Sequence, residues 1–413
     1  MSKSIVVTGI GATSALGGTA PENWQNLLAG VSGARTLTHD WVAKYDLPVT
    51  FAAEAVVRPE DVLPRPVAKR LDPSSQFALI AAMEAWADAG EPEVDPDRLG
   101  VDFATGIGGV WTLLDAWDTL REKGARRVMP MSVPMLMPNS AAGNLSLHFG
   151  ARAFARTVAS ACASSVESIA SAYDHLQQGL ADVVIAGGTE SAIHPITVAS
   201  FASMHALSRR NDSPETASRP FSADRDGFVM GEGAAALVLE TEEHAIARGA
   251  KIYARLVGTA VTADAHHITA NDPEGTGAAR AMRQALAQAG RDASEVTHIN
   301  AHATSTPVGD PAEYAALKSV FGDRVHEIPT SATKASTGHL LGGTGAIESV
   351  FTILAIRDRV APPTINLVDQ DPAIPVKASS QPQQLGDGAQ LAICNSFGFG
   401  GHNAVAAFAS YDG

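Results

Sequence analysis

Apolar positions along this chain fall into short runs of two kinds, and the order of those runs repeats. SIVVTGIGATSA from Ser4 and IYARLVGTAVTADA from Ile252 are each a β-branched run that gives way to Gly and small polar residues, the pattern of a strand entering a loop. The Ala-rich stretches SSQFALIAAMEAWADAG and GTGAARAMRQALAQAG come next, and each reads as a helix stopped by a glycine, Gly90 or Gly290. Each leads into a strand, GVDFATGIGG from Gly100 and VTHINAHATST from Val296. RTVASACASSVESIASAYDHL and IPTSATKASTGHLLGGTGAIESVFTILAI then give a strand, a small-residue loop and an amphipathic helix. Val166, Ile169, Tyr173 and Leu176 share one helical face, as do Ile347, Val350, Phe351 and Leu354. Finally DVVIAGGTES from Asp182 parallels LAICNSFGFGG from Leu391, and GAAALVLE from Gly233 parallels NAVAAFAS from Asn403.

A repeated order of strands and helices implies an α/β fold of two similar halves, residues 1–250 and 251–413, sharing one core. The alternation predicts mostly parallel sheets covered by helices, with functional loops at strand ends. Residues 111–149 and 191–231 have no counterpart and carry several Pro and Met; they cap a substrate channel, form a subunit contact, or are plain surface insertions. The length of 413 residues suits about two to three structural units. Disorder is excluded by 45% apolar and 18% charged residues. A net charge of -14 repels polyanions at long range, so nucleic acid is not an expected partner.

Cys162 and Cys394 are the only cysteines, far apart and without metal-ligand spacing, which fits a reducing compartment. His266 and His267 likewise lack zinc-site spacing. The N-terminus has no signal-peptide layout, and no apolar stretch approaches the roughly 20 residues of a membrane span, so a cytoplasmic location is expected.

The candidate chemistry starts at Cys162. It lies in SACASS, between a strand and a helix beginning near Ser164, where the positive end of the helix dipole favours thiolate. Small neighbours leave room for an acyl group at the sulfur; the alternative is a buried, inert cysteine. Repeat symmetry places Lys334 and His339 opposite the Cys162 loop, and His302 just past the strand ending at Asn300. The glycines of NSFGFGGHN could bring backbone N–H groups to a reacting carbonyl, or could form a tight turn between strands. Cys394, just ahead of it, reads as a small core hydrophobe.

SACASS, GGTES from Gly187, SRPFSADRDGFVMGEGAAALVLE from Ser218, NAHATSTPVGD from Asn300, TKASTGHLLGGTGAIES from Thr333 and NSFGFGGHN together resemble the β-ketoacyl-acyl carrier protein synthases of type II. The resemblance spans essentially the whole chain. RRVMPMSVPMLMPNSAAGNL from Arg126 and the GGHN ending are similar to the actinobacterial type. It implies a thiolase fold with a layered α-β-α-β-α core, a homodimer, and acyl carrier protein as partner. No metal or redox cofactor is implied, since the phosphopantetheine arrives on the carrier. Cys162 is then the acyl-accepting nucleophile. His302 and His339 bind the malonyl thioester, assist loss of its carboxylate and stabilise the enolate.

By the same resemblance Lys334 belongs to the catalytic group as a structural lysine paired with Glu348. Phe399 is a gating phenylalanine whose N–H, with that of Cys162, forms the oxyanion hole. Thr304 and Thr306 hold the pantetheine arm, Gly106 and Ile107 line the acyl pocket, and Glu348, Gly398 and Gly400 complete the substrate-binding set. Ala303 stands where the family has glycine, and His205 where relatives have an arginine for the carrier. Lys69, Arg70, Arg126, Arg127, Arg209 and Arg210 remain as docking candidates. The implied reaction is decarboxylative Claisen condensation in fatty acid elongation. The alternatives are a polyketide-type ketosynthase, a degradative thiolase using Cys394 as second cysteine, or a non-catalytic chain-length factor, which would lack the nucleophile.

Overall fold

The computed structural model describes residues 3–411. Its main sheet has ten strands. The first half supplies β1 (Ile5–Thr13), β2 (Leu99–Ala104), β3 (Phe154–Arg156), β4 (Val183–Glu190) and β5 (Gly233–Thr241). The second supplies β6 (Ala254–Ala263), β7 (His298–Asn300), β8 (Thr330–Ser331), β9 (Leu391–Gly398) and β10 (His402–Ser410). Outward from the seam between β1 and β6, the order is β1-β5-β4-β2-β3 on one side and β6-β10-β9-β7-β8 on the other. Each strand of the first half thus has its counterpart at the same rank in the second. Strands β1, β4, β5 and β9 are buried at every position, so they read as continuous apolar or small-residue runs without polar alternation.

Pairing directions correct one expectation. The sheet is mixed: β2 runs parallel to β3 and β4, and β7 to β8 and β9, while the remaining pairings are antiparallel. The reason is the connection. β9 turns directly into β10, with Gly398 opposite His402, and a strand that returns beside its predecessor without a crossover helix must run antiparallel. β5 also lies antiparallel beside β4, after the excursion of residues 191–231, which folds over the site and does not cross the sheet as a covering helix.

The helices include α1 (Pro73–Asp88), α2 (Val110–Lys123), α3 (Ser164–Gln177), α4 (Pro195–Ser203), α5 (Thr276–Gln288), α6 (Gly309–Phe321) and α7 (Thr344–Asp358), of which α1, α3, α5 and α7 pack on the sheet and α6 packs on α5. The Asp72 side chain caps α1 by accepting from the Ser74 N–H at 3.0 Å, and Gly90, at φ +76, follows its last turn. α1 packs on β1, β4 and β5, and α5 on β6, β9 and β10. Between the half-sheets lie α3 and α7, touching each other and strands of both halves. The result is five layers, with the helix pair at the centre.

α7 is buried from Thr344 through Ile356, not only along its apolar face. Its polar positions tolerate this because their hydrogen bonds close locally: Ser349 donates to the Gly345 carbonyl, Thr352 to that of Glu348, and Glu348 itself pairs with Lys334. Among the described residues no helix is long and apolar enough to cross a membrane.

Candidate active site

The N-termini of the two central helices meet in the middle of the molecule, where the Ala346 N–H of α7 donates to the Ser165 hydroxyl of α3 at 2.9 Å. Cys162 sits in the turn before α3. The turn is tightened by Ser164, whose hydroxyl accepts from the Ser160 N–H and donates to the Ala161 carbonyl, and Ala161 takes the left-handed region at φ +51. The end of β9 comes so close that a Cβ on Gly398 would lie 2.6 Å from the Ser160 oxygen and 3.0 Å from the Cys162 nitrogen. Glycine is therefore required there, and its position lets the next residue, Phe399, aim its N–H at the sulfur together with that of Cys162.

Burial pushes the Cys162 thiol up to about 12, with the Lys334 ammonium and the two N–H groups pulling it down and the Glu190 carboxylate pushing it up. Burial thus works against the thiolate expected from the helix dipole, and the Lys334 ammonium and the two N–H groups work for it.

His339 lies across from it, with Nε2 at 3.0 Å from the sulfur. Its Nδ1 accepts from the Leu341 N–H at 3.2 Å and meets the Thr344 hydroxyl at 2.8 Å. An imidazole that accepts at Nδ1 carries its proton on Nε2, so His339 presents an N–H to the sulfur and to the space in front of it. The backbone is pinned by bonds from the His339 N–H to the Val229 carbonyl and from the Gly231 N–H to the His339 carbonyl. The His302 ring stands edge-on to His339 at 5.6 Å between centroids. Burial first, then Lys334, hold both histidines well below their ordinary range, so both rings are neutral donors.

Lys334 lies fully buried behind them, its Nζ at 2.8 and 2.9 Å from the two carboxylate oxygens of Glu348. Burial pushes the Glu348 carboxyl up and the lysine opposes it. Lys334→Met strands that carboxylate in the core and is expected to cost about 3–5 kcal/mol in denaturant unfolding; adding Glu348→Gln should restore much of the loss, because it removes the unpaired charge.

A cavity of about 390 Å³ opens in front of the sulfur. It is lined by Cys162, His302, His339, Gly106, Ile107, Thr304, Thr306, Gly398 and Phe399, and by Phe201, Met204, His205 and Phe228 from residues 191–231. That unmatched segment therefore caps the cavity, whereas residues 111–149 contribute nothing to its wall. Three expected site residues stay outside it. Lys334 and Glu348 act from behind the histidines, and Gly400 lies in the turn after β9, where its N–H donates to the Ile268 carbonyl. Glu348 is thus a support for Lys334 and not a substrate contact. Cys394 is fully buried in β9, its sulfur 3.9 Å from the Gly345 carbonyl.

Several polar residues that organise the site were not singled out from the sequence. Glu313 accepts the His302 and Ala303 N–H groups at 2.9 and 2.7 Å, and also the Asn395 amide. Asp310 takes the Ser305 and Thr306 N–H groups. Ser305 carries the positive φ of this loop, +67, and Ala303 is not among the residues with positive φ, so alanine fits there without strain. The signal was available: both acids follow the histidine loop within GDPAEY, at the start of α6, where carboxylates meet free N–H groups.

A cysteine beside two backbone N–H groups, faced by two neutral imidazoles across an apolar cavity, inside a pseudo-symmetric layered sheet, is the arrangement of a thiolase-fold condensing enzyme. Residues 2–245 match the family description "Beta-ketoacyl synthase, N-terminal domain" and residues 253–368 its C-terminal domain. The chain belongs to the β-ketoacyl synthase family. It is 44% identical to the 3-oxoacyl-[acyl-carrier-protein] synthase 2 of Staphylococcus aureus (strain COL) over 413 residues, covering 99% of each chain. The protein of that name from Mycobacterium tuberculosis (strain H37Rv) is 42% identical over 408 residues, 98% of this chain and 97% of the other. Among solved structures, a β-ketoacyl synthase from Burkholderia phymatum STM815 superposes with a TM-score of 0.90 at 36% identity, covering 99% and 100% of the two chains. A type II polyketide ketosynthase, solved with its acyl-carrier protein and bound to the hexaketide, gives 0.91 at 31% identity with both chains fully covered.

Proposed function

We propose that this chain elongates fatty acyl groups by decarboxylative Claisen condensation. The Cys162 sulfur attacks the acyl thioester of acyl carrier protein; the oxyanion meets the N–H groups of Cys162 and Phe399, and the pantetheine thiol leaves with the cysteine proton. Malonyl carrier then enters, and the neutral rings of His302 and His339 donate to its thioester oxygen. Carbon dioxide leaves, the enolate carbon attacks the acyl-cysteine, and the cysteine sulfur departs and regains a proton. Neither step involves net oxidation or reduction, so the reaction calls for no redox cofactor, and the two imidazoles supply the donors that the enolate oxygen needs; the pantetheine arrives on the carrier. The observation that carries the reading is the His339 Nε2 at 3.0 Å from the Cys162 sulfur with Nδ1 already filled: that ring is a donor, suited to an enolate oxygen.

The burial of Cys394 counts against a degradative thiolase, and the presence of Cys162 against a chain-length factor. Identity of 42–44% with fatty-acid-type relatives, against 31% with the polyketide ketosynthase, favours elongation over polyketide assembly. The proposed partners are acyl carrier protein and a second copy of the chain, in the cytoplasm. Arg209 supports carrier docking, because it sits 3.1 Å from His205 at the cavity wall, whereas Arg210 is engaged by Asp224 and Asp226. The exposed stripe of Leu113, Trp117 and Leu120 on α2, with Met129, Met131 and Val133 beyond it, supports a covered face in a homodimer.

The test is to supply acyl-carrier primers of increasing length with malonyl carrier. A β-ketoacyl product longer by the malonyl-derived carbons, with release of carbon dioxide, is expected. Cleavage of a β-ketoacyl thioester by coenzyme A, without malonyl-dependent extension, would overturn the reading in favour of a thiolase.

A further inference from the structure

Glu190 ends β4 in the GGTES motif, fully buried, and the mechanism above does not use it. Its partners are donors from two separate loops. From the loop after β2, the Thr105 hydroxyl and the Ile107 N–H donate to Oε1 at 2.9 and 3.2 Å, and the Gly106 N–H to Oε2 at 2.9 Å. From the loop after His339, the Gly342 N–H donates to the same Oε2 at 3.0 Å. A carboxylate is costly to bury unless its lone pairs are filled in this way. The two loops are in direct contact: a Cβ on Gly342 would lie 2.0 Å from the Gly106 nitrogen.

What those loops carry gives the grip its meaning. The first puts Ile107 on the cavity wall. The second includes Leu341, whose N–H fills Nδ1 of His339 and so leaves the ring proton on Nε2. Gly342 is the next residue, so holding its N–H holds the peptide beside the one that sets the tautomer. We propose that Glu190 is a positioning residue: by gripping both loops with one carboxylate, it sets the acyl-side wall and the malonyl-side donor together. The inference rests on the condensing reading above and adds a coupling between its two half-reactions.

Two substitutions separate the two grips. In Glu190→Gln the amide oxygen keeps the Gly106 and Gly342 N–H groups, and the amide nitrogen turns to the Thr105 hydroxyl, which rotates to accept; the Ile107 N–H is then left facing a donor. Glu190→Asp keeps the charge but is one methylene too short to reach both loops. E190Q should slow acyl loading of Cys162 roughly tenfold to a hundredfold, the order that a small misplacement costs, and leave malonyl decarboxylation near the wild-type rate. E190D should slow both steps and lower the population of the Nε2–H tautomer in nitrogen NMR spectra of the His339 ring. Wild-type loading by E190Q, or unchanged His339 spectra in E190D, overturns the proposal. So does an equal fall of both steps in both variants that tracks a lower Tm, since that is mere loss of folded protein. Absence of malonyl decarboxylation in the wild-type protein would overturn the condensing reading instead; the spectra would still test Glu190, because they need no turnover.

Discussion

Cys162→Gln is expected to lower chain extension by roughly four orders of magnitude or more, the order that loss of a covalent nucleophile costs, while malonyl decarboxylation continues. The variant places an amide carbonyl where the acyl-cysteine carbonyl would sit, within reach of the Phe399 and Cys162 N–H groups, and leaves both imidazoles in place. It also removes the sulfur that occupies the His339 Nε2–H at 3.0 Å, so that donor is free for the malonyl thioester. The enolate then forms with no acyl group to attack and is quenched by a proton. Release of labelled carbon dioxide, measured beside β-ketoacyl product, separates the two outcomes. Continued extension of primers would mean that another residue carries the acyl group, and the remaining cysteine, Cys394, is sealed in the core.

His339→Ala should have the converse signature. Decarboxylation loses one of two preorganised donors at the enolate oxygen and is expected to fall about a hundredfold to a thousandfold, whereas acyl loading, which uses the Phe399 and Cys162 N–H groups, falls much less. Single-turnover loading against carbon dioxide release measures the split. A pH profile of the wild-type protein adds a second check. Burial and the nearby Lys334 ammonium hold His302 and His339 well below the ordinary histidine range, so they remain uncharged as pH descends through about 6.5, where a free imidazole would gain a proton. The rings should therefore cause no loss of decarboxylation centred there. A fall with midpoint near that value that persists in Glu190→Gln and Glu348→Gln, whose carboxyls burial pushes up to about 7, would mean that at least one ring is solvated and charges during turnover.

The two-half repeat was readable because its strands are buried on both faces and its central helices present apolar faces at regular spacing. Neither pattern carries pairing direction, which depends on where each connection brings the chain back; hence the mixed sheet. At the site, Cys162, His302 and His339 could be singled out because each interrupts a run of small residues in a loop and lies in a motif that resembles the family's. Glu190, Glu313 and Asp310 were not, since a carboxylate in a polar motif reads as solvated, and only the packing of distant loops shows that each one collects backbone N–H groups in the interior. The burial that opposes a thiolate at Cys162 was hidden for the same reason: the helix dipole is local and visible in sequence, whereas that burial comes from both halves of the fold.

The symmetry about the seam has one more consequence. The short turn Ala161–Ala163 before α3 has its twin in Leu341–Gly343 before α7, and the twins share even their backbone strain, with Ala161 at φ +51 and Leu341 at φ +47. By that correspondence Gly342 stands where Cys162 does. The architecture thus offers two berths for a nucleophile and arms only one, because the other is pressed against Gly106 too tightly to admit any side chain. Restoring a thiol to the vacant berth would require parting those loops, so the division of labour between the halves is enforced by steric exclusion.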